Sequence, residues 1–239
     1  MILRSLLIVA FMAGSAGAND VQPASHVDIE IGRDGLASLI CPIPNSTDRF
    51  VSRAFAVQQS EPGAFELLIA TRHAVGDFQS IGSLDCWVRG PEGRHYDIEQ
   101  IHYSDSIPDV DHDWLVIRTS RPFPRNAVRL RVASTHIASR DLPEIALIQQ
   151  NRNAPNCNIL AETDIFYSDG ALFAHDCHTR PGLSGSPIMV ASDGNSVVIG
   201  FHIGRLTEYS GGSREQYGLA RWIDAEIEHA IMDLASTAN

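Results

Sequence analysis

Basic residues are scarce in this chain. Lys and Arg total 18 against 29 Asp and Glu, a formal net charge of -11 over 239 residues. Nucleic-acid binding draws on clustered cations that displace counterions from phosphates, so this composition argues against that class of partner. An acidic balance instead suits an extracytoplasmic protein whose charge limits self-association, and a monomer is expected. Long apolar runs are also missing: the longest candidate, residues 6–13, is too short to span a bilayer as a helix. Neither Cys-x-x-Cys nor His-Glu-x-x-His spacing occurs, and Cys177-His178 alone is not a metal site, so no metal is expected. There is no internal repeat.

The first residues have the layout of a targeting segment. Arg4 gives a positive start, 6–13 an apolar stretch, and Ala16-Gly17-Ala18 a small-residue cleavage pattern. Cleavage after Ala18 and a secreted or periplasmic protein, free of the membrane, are expected. Export gives the four cysteines an oxidising setting. Four cysteines allow three pairings, which sequence alone does not decide. Pairing within each half is favoured, Cys41 with Cys86 and Cys157 with Cys177. The second bridge closes a loop of about twenty residues, worth about 3 kcal/mol in loop entropy.

Hydrophobic residues make up 44% of the chain, enough for one large or two small cores. Short apolar runs at 50–57, 65–70, 98–103, 114–117, 128–132, 144–148, 188–190 and 197–203 alternate with turn signals, which predicts an all-β barrel or sandwich. Residues 120–126, with Pro122 and Pro124, read as a connection between halves. From Trp222 the period changes: Ile223, Ile227, Ile231 and Leu234 recur at helical spacing, and Asp224 and Glu226 suit a helix start.

Three segments carry chemistry. Pro181-Gly182-Leu183-Ser184-Gly185-Ser186-Pro187 has glycines around a serine, which permit a sharp turn and can aim backbone N–H groups at one point. Leu68-Ile69-Ala70-Thr71-Arg72-His73 is an apolar strand ending in a histidine, and Asp113-Trp114-Leu115-Val116-Ile117 is an aspartate opening another. A serine nucleophile needs a base, and the base needs a carboxylate to fix its tautomer. Asp109 and Asp111 also precede Trp114, but Asp113 directly abuts the apolar strand. His95, His102 and His112 have no motif around them and are expected to be structural.

The chain order His73, Asp113, Ser184, with Thr71-Arg72-His73, Asp113-Trp114-Leu115-Val116 and Gly182-Leu183-Ser184-Gly185-Ser186-Pro187, resembles the trypsin/chymotrypsin-like serine protease family in its bacterial secreted form. Arg72 departs from that family's alanine. The resemblance implies two packed antiparallel six-stranded β-barrels with a C-terminal helix. It divides the chain into a signal peptide (1–18), an N-terminal segment with room for a propeptide (19–37), a barrel carrying His73 and Asp113 (38–122), a barrel carrying Ser184 (123–221), and a helix and tail (222–239). It implies a serine endopeptidase acting on polypeptides through an acyl-enzyme, without a cofactor, with oxyanion donors on the N–H groups of Gly182 and Ser184. Leu183 stands where zymogen-type relatives have an aspartate, so activation by N-terminal insertion is not expected.

Val198-Ile199-Gly200-Phe201-His202-Ile203-Gly204 resembles the strand lining the specificity pocket. Thr179 and His202 are similar to the residues by which glutamyl endopeptidases contact an acidic side chain, with Gly204 beside them and Arg205 near enough in sequence to add charge. The alternatives are a protease-fold binding protein without turnover and an esterase using the same three residues.

Overall fold

The computed structural model describes residues 36–43, 45–59, 63–75, 85–104, 109–132, 145–149, 152–153, 157–160, 170–192, 195–210 and 213–236. The expected signal peptide and nearly all of 19–37 lie outside the described residues. The first half is a closed barrel of β1 (Leu36–Pro42), β2 (Arg49–Ala56), β3 (Leu67–Ala70), β4 (Trp87–Arg89), β5 (His95–Tyr103) and β6 (Leu115–Thr119), in the order β1-β2-β3-β6-β5-β4. β3 and β6 are short runs buried along their whole length, as expected of strands packed on both faces. Cys41, at the end of β1, bonds Cys86, just before β4, and so staples the seam where those strands pair.

The second half contains β7 (Ile145–Gln149), β8 (Arg152–Asn153), β9 (Ile159–Leu160), β10 (Leu172–His175), β11 (Pro187–Ser192), β12 (Asn195–Ser210) and β13 (Ser213–Trp222). Where six strands were expected, the sheet has seven, ordered β8-β7-β11-β12-β13-β10-β9. The extra strand has a simple origin. β8 pairs with β7 while β9 pairs with β10, and Cys157 between them exchanges backbone bonds of 2.8 and 2.9 Å with Ile145. One stretch of chain therefore reaches both edges of the sheet, in two short pieces. The Cys157–Cys177 disulfide anchors it to the segment after β10. Both cysteine pairs are those expected.

Residues 128–132 form no strand, although their apolar pattern suggests one. Leu130 bridges Val57 and Val132 bridges Val198, so this segment is the seam between the two halves. The largest core cluster spans that seam, bringing Phe55, Leu67, Ile69 and Trp114 together with Met189, Val198 and Phe201. The helix α1 (Ala225–Ser236) closes the same core with Ile227, Ala230 and Leu234. Asp224 caps it, its Oδ1 accepting from the N–H of Ile227 at 3.2 Å.

Glu66 is fully buried beside the connection. It accepts from Arg129 Nε (2.9 Å) and Nη2 (2.8 Å) and from the N–H of Phe123 (3.0 Å). A buried carboxylate forked by an arginine is strongly destabilising to break. We expect Glu66→Ala to lower the unfolding free energy by about 3 kcal/mol. Urea denaturation checks it; a change under about 0.5 kcal/mol, the range of an ordinary surface substitution, would refute this role.

Candidate active site

β3 and β6 pair with Ala70 opposite Leu115. That register brings the residues just after β3 alongside those just before β6. His73, in the short 3-10 turn Arg72–Val75, accordingly meets Asp113 twice. Its N–H donates to Asp113 Oδ1 at 2.7 Å, and its Nδ1 lies 2.6 Å from Oδ2. Asp113 is buried while the His73 side chain keeps 27% exposure, so the ring is held from behind and open in front. A carboxylate on Nδ1 fixes the proton there and leaves the Nε2 lone pair available. Arg72, the departure from the family pattern, is buried, donates to the carbonyl of Ser104 at 3.0 Å and lies over the Tyr103 ring. It clamps the histidine turn to the end of β5.

The serine turn has two positive-φ glycines, Gly182 (86°) and Gly185 (83°). Gly185 has a second reason to lack a side chain: a Cβ there would lie 1.9 Å from the carbonyl oxygen of Arg53. The turn is pinned by Ser186 N to Leu183 O (2.9 Å), Gly185 N to His202 O (2.8 Å) and His202 N to Ser186 O (2.9 Å). Leu183 is buried with Cys177 and Ile188 in the second-half core, so apolar packing holds the position before Ser184. The N–H groups of Gly182 and Ser184 donate to no backbone carbonyl among the described residues.

Ser184 is tied to the first barrel through its carbonyl, which accepts from Arg53 N at 2.7 Å and Ser52 Oγ at 3.0 Å. The Ser52 hydroxyl also lies 2.8 Å from Thr71 Oγ1, two residues before His73. A serine nucleophile has in addition to reach its base, which here would be the His73 ring. Catalytic contacts of this kind are often long before substrate binds and shorten in the complex.

Beside the turn, β12 carries a bulge between His202 and Gly204, the kind of irregularity that re-aims side chains near sites. His202 Nδ1 lies 3.2 Å from His175 Nε2, and both rings are buried. Burial pushes His175 down to about 4. Burial, followed by the charges of His175, Arg205 and His73, holds His202 well below the usual histidine range. Thr179 Oγ1 accepts from Arg205 Nε at 2.8 Å.

Of the residues singled out in the sequence, His73 and Asp113 are in direct contact, Ser184 is bound to the same framework, and Thr179, His202 and Gly204 lie on the two segments next to it. Asp109 and Asp111 are occupied elsewhere: Asp109 bonds His112, and the carbonyl of Asp111 accepts from Arg221 Nε at 2.6 Å. Sequence reasoning missed Ser52 and His175. His175 stacks directly on Gly218, where a Cβ would fall 2.1 Å from its ring. The only signal for it was a histidine closing the apolar run Leu172-Phe173-Ala174.

No family model matches the chain, and no curated protein matches it. Among solved structures it is similar to kallikrein-related peptidase 10 in complex with Zn2+, at 14% identity and a TM-score of 0.57, covering 90% of this chain and 100% of that one. It is likewise similar to tobacco vein mottling virus protease, at 15% identity and a TM-score of 0.54, covering 90% and 88% of the two chains. These likenesses establish a chymotrypsin-like fold.

The histidine pair has a measurable consequence. Its folded pKa values are depressed, so on acidification the unfolded chain takes up protons that the folded chain refuses. Stability from this source is whole above about pH 6.5 and is lost as pH falls toward about 4, by up to about 1.4 kcal/mol per pH unit for each histidine. We expect His175→Gln to unfold with a shallower pH slope than the parent between about pH 6.5 and about 4.5. Equal slopes in urea titrations would show that the pair is not buried neutral.

Proposed function

We propose that the chain is an exported serine endopeptidase, with His73, Asp113 and Ser184 as base, orienting acid and nucleophile. The observation that carries this reading is the double hydrogen bond from His73 to Asp113, set beside a glycine-flanked serine turn in a chymotrypsin-like fold. Ser184 Oγ attacks the substrate carbonyl as its proton passes to His73 Nε2. The tetrahedral oxyanion is met by the N–H groups of Gly182 and Ser184, which give no bond to a backbone carbonyl among the described residues. Collapse returns the proton to the leaving amine and leaves an acyl-enzyme, and water then repeats the steps to release the acid. The chemistry is complete with side chains and backbone, and needs no cofactor.

The two disulfides fit an oxidising compartment. Leu183, packed in the core, offers no partner for a new amino terminus, so the serine turn does not depend on N-terminal insertion. The finer reading is a preference for an acidic residue at P1, the position before the scissile bond, with Thr179, His202 and Gly204 around it.

A fluorophosphonate probe should label the mature protein at Ser184 and fail on Ser184→Ala. Asp113→Asn, which leaves the base in the wrong tautomer, should lower kcat on a peptide substrate by about 10⁴-fold. An unlabelled, inactive parent protein would favour a binding role for the fold. Cleavage of esters alone across a panel of matched amides and esters would favour an esterase.

A further inference from the structure

We propose that Arg205, anchored by its Nε on the hydroxyl of Thr179, is the group that reads the carboxylate of an acidic P1 side chain, while His202 and His175 are a buried, mutually bonded pair that does not reach it. The inference rests on the endopeptidase reading above and assigns its specificity to one side chain.

The Thr179–Arg205 bond joins the segment leading into the serine turn to the part of β12 just past the bulge. Using Nε for that contact directs the two terminal nitrogens elsewhere, and that edge of a guanidinium matches a carboxylate in bidentate geometry. Arg205 has no carboxylate partner among the described residues, although the chain has 29 acidic residues to 18 basic ones. Three other buried or half-buried arginines are treated differently: Arg118 pairs with Glu99, Arg129 with Glu66 and Arg221 with Asp224. Arg205 is half-buried, within reach of a ligand.

His202 is poorly suited to the same task. It is 3% exposed, and its Nδ1 is engaged with His175, itself 0% exposed. That contact needs one N–H and one lone pair, so two imidazolium rings cannot share it. The groups facing His202 are His175 from β10, with Asp176 beside it, Arg205 from its own strand, and His73 from the first barrel. Most of these oppose a positive charge on His202, and none makes it accessible. The chain has no lysine, so an arginine is the fixed cation available to it.

The roles of Arg205 and His202 separate by pH. An arginine keeps its charge throughout the working range, whereas a histidine reader fades above neutrality. The test is the ratio of kcat/KM for two peptides identical but for Glu or Gln at P1, so that any general loss of activity cancels within each variant. The parent should favour Glu by about tenfold or more, with a ratio flat from about pH 6 to about pH 9. Arg205→Gln should bring the ratio to about one, and Arg205→Lys should leave it in between, since charge is kept but the fork is lost. An unchanged ratio in Arg205→Gln overturns the assignment, as does a parent ratio that falls with rising pH. A parent that cleaves both peptides equally removes the acidic preference along with Arg205's role. Absence of cleavage together with absence of fluorophosphonate labelling at Ser184 defeats the endopeptidase reading itself.

Discussion

The two halves of this molecule meet at the serine turn in a backbone contact with no room for a side chain. Gly185 presses against the carbonyl of Arg53, and the carbonyl of Ser184 is held by donors from Arg53 and Ser52. β2 is therefore a common datum for both parts of the site. It pairs with β3 through Ala54 and Ala70, immediately before the histidine turn, and its Ser52 hydroxyl reaches Thr71 as well as Ser184. A shift of β2 by one residue would move the serine turn and leave Thr71 without its partner. The site's geometry is thus set by hydrogen bonds to one strand more than by the residues that would perform chemistry.

A second device steadies the carboxylate side. Arg221, almost wholly buried, donates to the carbonyls of Asp111, Ala171 and Trp222 and pairs with Asp224. Asp224 in turn caps α1, whose apolar face completes the core shared by both halves. The loop that delivers Asp113 is in this way connected to the end of the chain. Deep burial of a guanidinium is costly without partners, and here its donors are satisfied by carbonyls and a carboxylate at once. The helix has a structural function with an indirect link to the site.

What could be read from sequence followed from locality. His73, Asp113 and Ser184 each sit at the border of an apolar strand with a glycine or turn signal, so their surroundings are written in adjacent residues. The strands β3, β6 and β7 were legible for the same reason, each being short and opening on an unbroken apolar run. β13 was not, because it extends beyond the core beside β12 as a long hairpin, where polar residues such as Glu215 and Gln216 are exposed and obscure the pattern. The run 128–132 misled for the opposite reason: its apolar residues fill the seam between sheets without joining a ladder. Ser52 and His175 owe their importance to partners far along the chain, Ser184 and Gly218, and no local spacing encodes that.

The structure treats its histidines in two opposed ways, and the contrast bears on the proton-transfer role proposed for one of them. His73 is given a carboxylate on one nitrogen and keeps solvent access on the other side. His175 and His202 are given each other and little water. A proton on His202 would be repelled by one on His73 and raise the cost of forming the imidazolium that the proposed serine activation requires. Keeping the inner pair neutral removes that repulsion, so in the proposed mechanism the developing charge falls on the one ring with a carboxylate behind it. The same neutrality leaves Arg205 as a fixed positive charge beside the pair.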